Sequence, residues 1–152
     1  MKKQKNRWIM LFCICCNTFC FGGVYAWSAF SGELANYMGW DYSKVTVAYS
    51  IMLMCVALMG LVGGMLLQRF GARKLMIAAG IMWGLGWFAT GMAGSIIMLY
   101  ASFGILAGCA SGFGYNPGVV TAVSWFPDKK GFASGMAVGT CGMASLIVAP
   151  LA

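Results

Sequence analysis

The sequence predicts an all-α membrane protein, a polytopic bundle of about five transmembrane helices. Composition is the first observation: 61% of the 152 residues are hydrophobic and 9% are charged, where soluble domains balance about half apolar with about a quarter charged. Mean hydropathy of +0.83 is the second. The third is that charge-free stretches run long enough to cross a bilayer, which takes about 20 apolar residues at ~1.5 Å rise each. A soluble core is excluded.

In chain order, charge is absent from Trp8 to Ser31, from Val45 to Leu67, from Leu75 to Pro127 and from Gly131 to Ala152. The first, second and last stretches each fit one span. The third is too long for one helix, and Gly91-Met-Ala-Gly-Ser95 offers a hairpin break inside it. Spans are therefore expected at about 8–30, 45–67, 75–93, 96–124 and 132–152, in one incomplete bundle covering 1–152. A cleaved signal peptide is the alternative for the first run. That run exceeds the usual apolar core of a signal and further spans come after it, so an uncleaved helix is expected. The longest connection is expected at Ser31–Lys44, with Glu33 in it, and its Tyr37, Trp40 and Tyr42 suit the headgroup belt.

Cytoplasmic loops retain Lys and Arg. With the N-terminus inside, Lys2, Lys3, Lys5, Arg7, Arg69, Arg73, Lys74, Lys129 and Lys130 all fall on the inner side, leaving only Lys44 outside. The expected location is thus a cell membrane, multi-pass, with a cytoplasmic N-terminus and the lipid bilayer as partner. The net charge of +7 is a topology signal, and nucleic acid is not an expected partner because no basic run continues onto a soluble face.

Seven cysteines and no histidine argue for packing thiols rather than a metal site, which would draw on C-x-x-C loops. No metal and no cofactor is expected. The acids, Glu33, Asp41 and Asp128, fall in loops, and without histidine there is no general base near pH 7; an enzyme is not expected.

Glycine carries the strongest pattern. Gly104, Gly108 and Gly112 form one row at four-residue spacing and Gly131, Gly135 and Gly139 another, with Gly60/Gly64 and Gly80/Gly84 as shorter pairs. Such rows let helices approach closely where no hydrophobic effect drives them together. They are expected to be packing faces.

The turn after the second span reads Gly64-Met-Leu-Leu-Gln68-Arg69-Phe-Gly71-Ala-Arg73-Lys74. It resembles the major facilitator superfamily, whose equivalent loop carries G-x-x-x-D-R-x-G-R-R; Gly64, Arg69, Gly71, Arg73 and Lys74 match, and Gln68 replaces the usual Asp. Gly112-Phe-Gly-Tyr115-Asn116-Pro117, the later Trp125-Phe-Pro-Asp-Lys-Lys-Gly131, Val24-Tyr25-Ala-Trp27-Ser28 and Gly39-Trp40-Asp-Tyr42-Ser43 narrow the likeness to the oxalate/formate antiporters. The resemblance implies a secondary transporter of small organic anions working by alternating access. It also implies a six-helix N-terminal domain of which five helices are present, and an inner loop that latches the two halves of the carrier. Gln68 keeps hydrogen-bonding capacity but loses the charge that pairs with Arg and a helix N-terminus.

Substrate in such carriers lies near the midplane, which makes Tyr25, Tyr115 and Asn116 the candidate binding residues. Tyr115 and Asn116 extend the Gly104 row by one turn and are expected to face protein; ligand contact and a packing kink at Pro117 are both open readings. Thr18, Phe21, Tyr25 and Ser28 are expected to share a semi-polar face. Tyr25 is placed about 9 Å outside the middle of its span and Tyr115 about 7 Å inside its own, so the two would bracket a central site without meeting. No charged residue lies inside a span, so the cations that bind an anion must come from C-terminal helices beyond residue 152, and the sequence is expected to be a fragment. A proton-coupled monocarboxylate carrier and a non-transporting truncated membrane protein are the other readings.

Overall fold

The computed structural model describes residues 7–148 and, among them, is helical apart from short turns. The basic residues at 2, 3 and 5 and the apolar end at 149–152 lie outside the described residues. The elements are α1 (Arg7–Phe21), a 3₁₀ stretch (Gly22–Ala26), α2 (Trp27–Met38), α3 (Tyr42–Phe70), α4 (Ala72–Gly91), α5 (Ile96–Leu99), a π-helical stretch (Tyr100–Ala107), α6 (Gly108–Trp125), a 3₁₀ turn (Pro127–Lys129) and α7 (Lys130–Val148). They join end to end into five long runs. Three segments, Arg7–Tyr25, Tyr42–Phe70 and Ile96–Trp125, are long and apolar enough by length and composition to cross a membrane. Helices α4 and α7, at 20 and 19 residues, each reach about 30 Å at ~1.5 Å per residue.

The first run is longer than expected. The expected loop from Ser31 is helical to Met38 and leaves only a short turn before Tyr42. Leu34, Ala35 and Met38 sustain helical spacing, and Ala35 and Ser31 are buried. Glu33 consequently sits on a helix rather than in a loop. Gly39, at φ 64°, ends the run in the left-handed region that glycine adopts without penalty.

The run of α5, the π stretch and α6 is the hub, touching α1, α3, α4 and α7. Its glycines explain why. A Cβ added to Gly104 would lie 2.9 Å from Ile51 Cγ2, one on Gly108 would lie 2.8 Å from Cys55 Cβ, and one on Gly112 would lie 2.8 Å from Met59 Cβ. All three partners are on α3, so this row closes one seam. Gly114 takes the Phe21 ring of α1, and Ala107 sits against Gly86 of α4.

The second row behaves oppositely. Beside Gly131, Gly135 and Gly139 there is open space among the described residues, so the expected packing of this row has no partner within the described bundle. Helix α7 instead buries Ala133, Ala137, Cys141 and Ala144. Helical geometry accounts for this: Ala137 is two residues from Gly135 and Gly139, about 200° round the helix, so packing the alanine face turns the glycine face away. Gly64, Gly80 and Gly84 are likewise open. At α3 the close approaches fall on Gly60, beside Asn116, and on Gly63, beside Gly112 and Pro117.

The first run meets α7 through Gly22 of the 3₁₀ stretch, whose missing side chain admits the Cys141 carbonyl, and through Thr18 of α1 and Thr140, whose hydroxyls lie 3.1 Å apart. Cys15 is buried, whereas Cys13, Cys16 and Cys20 are exposed in the described bundle, so only one of these four thiols packs as expected.

Candidate functional site

Four runs converge on one small cleft. Phe21, Val24 and Tyr25 come from the first, Leu53 and Val56 from α3, Ser111 and Tyr115 from α6, and Cys141 from α7, around about 90 Å³. Val56 and Ser111 each sit near the middle of their own runs. The cleft is therefore at mid-depth.

Tyr25 and Tyr115 line it together, nearer to one depth than the expected offsets of the two residues would give. The reason is the extended first run: its midpoint moves outward to about residue 22, which leaves Tyr25 only about 4 Å from it at ~1.5 Å per residue. The 3₁₀ stretch contributes too, since its three residues per turn rotate the later side chains away from the α-helical register. Thr18 and Phe21 are buried among helices while Tyr25 is 56% exposed and Ser28 is exposed, so the four do not share the semi-polar face expected of them.

Asn116 is outside this cleft. It is exposed, its amide packs against Gly60, and it lines a wider groove of about 460 Å³ with Ala57, Leu61, Tyr115, Val120 and Val138. The groove is lined from α3, α6 and α7 and shares Tyr115 with the cleft. The sequence pointed to Tyr25 and Tyr115 but missed Ser111 and Cys141. A serine and a cysteine among so many small residues carry no signal until neighbouring helices close around them.

The turn between α3 and α4 places Gln68, Arg69, Arg73 and Lys74 on the surface. Gly71, at φ 80° and ψ 154°, caps α3 by donating its N–H to the Leu67 carbonyl at 3.0 Å. Arg69 stands 5.9 Å from the centre of the Phe70 ring. Among the described residues the one ion pair is Arg7–Asp128, at 3.4 Å. Arg7 Nε also donates to the Trp125 carbonyl at 2.8 Å, and the guanidinium lies 4.9 Å from the centre of the Phe126 ring. Arg7 thereby ties the start of α1 to the end of α6, where a cation also complements the helix dipole.

The described residues thus form a helical bundle of long apolar runs with a small, mostly apolar cleft that carries two tyrosines and one serine. The family model of the Major Facilitator Superfamily matches residues 7–152, and the chain belongs to that superfamily. Among its relatives, the uncharacterized MFS-type transporter YhjX of Escherichia coli K12 is 36% identical over 143 residues, which cover 94% of this chain and 36% of that protein. The oxalate:formate antiporter of Oxalobacter formigenes is 32% identical, over 96% of this chain and 35% of that protein. Monocarboxylate transporter 3 of mouse is 28% identical, over 95% and 30%. The chain thus spans about a third of the length of these relatives. All three are named as transporters or antiporters.

Proposed function

We propose that the complete protein is a secondary active transporter that exchanges small carboxylates, of the oxalate and formate type, by alternating access. The observation that carries this is the mid-depth cleft with Tyr25 and Tyr115 on its wall. Its size suits an anion of a few heavy atoms, and tyrosine hydroxyls donate to carboxylate oxygens. Its walls are mostly apolar, and an anion enclosed there needs cations to offset its desolvation. The charged residues among those described sit at or near the ends of their runs, Glu33 on α2 excepted, so the cations are assigned to C-terminal helices of the same transporter. The likeness to an oxalate:formate antiporter supports the substrate class.

The basic residues at the α3–α4 turn and near α7 support a cytoplasmic N-terminus, and the exposed Arg69, Arg73 and Lys74 are suited to latch the two halves of the carrier on that side. The open glycine face of α7 suits close approach by another helix of the full protein.

The test is counterflow in liposomes with the full-length protein. Labelled oxalate is expected to enter against internal formate without an imposed pH gradient. Uptake of lactate driven only by a proton gradient would instead favour a proton-coupled monocarboxylate carrier, the reading supported by the likeness to monocarboxylate transporter 3. If neither substrate moves, the substrate class is wrong.

A further inference from the structure

Five polar residues are buried in the bundle: Thr18, Ser31, Ser102, Ser111 and Thr121. Four of them return their hydroxyl to a backbone carbonyl of their own helix. Thr18 donates to Cys15 at 3.1 Å, Ser31 to Ser28 at 3.3 Å, Ser102 to Met98 at 2.8 Å and Thr121 to Pro117 at 2.7 Å. This is the ordinary way for a helix in lipid to satisfy a hydroxyl. Ser111, 5% exposed as a residue, donates to no carbonyl among the described residues, and its oxygen is not one of the sealed polar atoms left without a partner. Its hydroxyl is therefore open to the cleft it lines, with its donor uncommitted.

The exception falls in a particular place. Ser111 lines the cleft between Tyr25 and Tyr115, one helical turn before Tyr115 on α6. The sealed polar atoms without partners, on Asn17, Trp27 and Trp87, lie away from the cleft lining.

We propose that Ser111 is a substrate-contacting residue, its hydroxyl donating to a carboxylate oxygen held between the two tyrosines. This rests on the small-carboxylate reading above and adds a donor from the floor of the cleft. Serine suits the position because a larger donor would fill a volume of about 90 Å³, while alanine would leave the anion one donor short. Cys141, on the facing helix, is a weaker donor and does not substitute for it.

The experiment uses purified full-length protein and radiolabelled oxalate, formate and lactate as probes. Ser111→Ala removes a single atom and is compared with Thr121→Ala, which deletes an equally buried hydroxyl already committed to backbone. The expected result is a rise in the oxalate Kd of roughly tenfold for Ser111→Ala, the loss of one hydrogen bond to a charged acceptor, and less than about twofold for Thr121→Ala. Equal affinity in wild type and Ser111→Ala overturns the proposal. A second variant, Ser111→Cys, is treated with N-ethylmaleimide and read by peptide mass at position 111. Modification that oxalate slows is expected, and an unreactive Cys at 111 overturns the proposal independently of affinity. If the wild type binds none of the three carboxylates, the substrate class fails, while modification at position 111 still supports a donor facing the cleft.

Discussion

Two glycine rows with the same spacing have opposite fates in this molecule. Gly104, Gly108 and Gly112 are pressed against Ile51, Cys55 and Met59, whereas Gly131, Gly135 and Gly139 face open space. Their surroundings separate them. The first row lies on the hub run, which packs on several sides at once, so Ala107 and Ala110 beside it are fully buried as well. The second shares its helix with a row of small residues that retain methyl or thiol groups, Ala133, Ala137 and Cys141, and α7 packs by that row. Glycine gives closeness but supplies no side-chain surface, so a helix offering both faces keeps the alanine face for contacts that gain dispersion. A four-residue glycine spacing therefore identifies a face that permits close approach, and the partner decides whether the approach happens.

Substitutions on the two faces test this contrast, beginning with the largest effect. Gly108→Leu inserts a branched side chain where even a Cβ would lie 2.8 Å from Cys55 and 3.0 Å from the Met52 carbonyl. It is expected to cost at least about 3 kcal/mol and to abolish recovery of monodisperse protein by size-exclusion chromatography. Ala137→Leu overfills the completely buried face of α7 and should lower stability by about 1–3 kcal/mol, read as a fall in the thermal midpoint in detergent. Unchanged midpoints for either variant would mean that these seams are not where the helices meet.

Arg7→Ala tests a different closure of the same bundle, since it removes the bond to the Trp125 carbonyl, the contact with Phe126 and the pair with Asp128. A loss of about 1–2 kcal/mol is expected. Asp128→Asn should cost no more than about 0.5 kcal/mol, because Asp128 is 76% exposed and exposed pairs contribute little. Equal losses for the two variants would shift the weight from the backbone bond to the ion pair.

Gly135→Leu, in the open row, is expected to change the stability of the bundle, read from its thermal midpoint, by less than about 0.5 kcal/mol. A large fall in transport at unchanged midpoint would show that this face meets another part of the carrier. The smallest effect is expected from Gln68→Asp. Position 68 is in the last turn of α3, where the helix dipole disfavours a carboxylate, while Arg73 and Lys74 in the first turn of α4 favour one, so the two effects offset and the net change should stay below about 0.3 kcal/mol at low salt. A larger gain that shrinks as salt is raised would show that the cations of α4 prevail.

Much of this molecule was legible in the chain. The all-helical membrane class came from 61% hydrophobic content and from long charge-free stretches, because lipid leaves backbone groups no partner but the helix itself. The α3–α4 turn was legible because Gly71 must take φ 80° and cations sit at the helix ends beside it. Tyr25 and Tyr115 were legible as polar aromatics inside apolar runs. Other features needed the tertiary structure. Helix α2 came from the packing of Ser31 and Ala35, which extended a run that turn-like residues had suggested would stop. Which glycine row closes a seam was settled by the helix opposite. That Tyr25 and Tyr115 share one cleft depended on the 3₁₀ stretch at Gly22–Ala26 and on the shifted midpoint of the first run. Ser111 became distinct only once every other buried hydroxyl had a carbonyl and it had none. Sequence determines what each helix presents, since hydropathy and side-chain size are local. Which face meets which neighbour is a property of pairs of helices, and no single run carries that information.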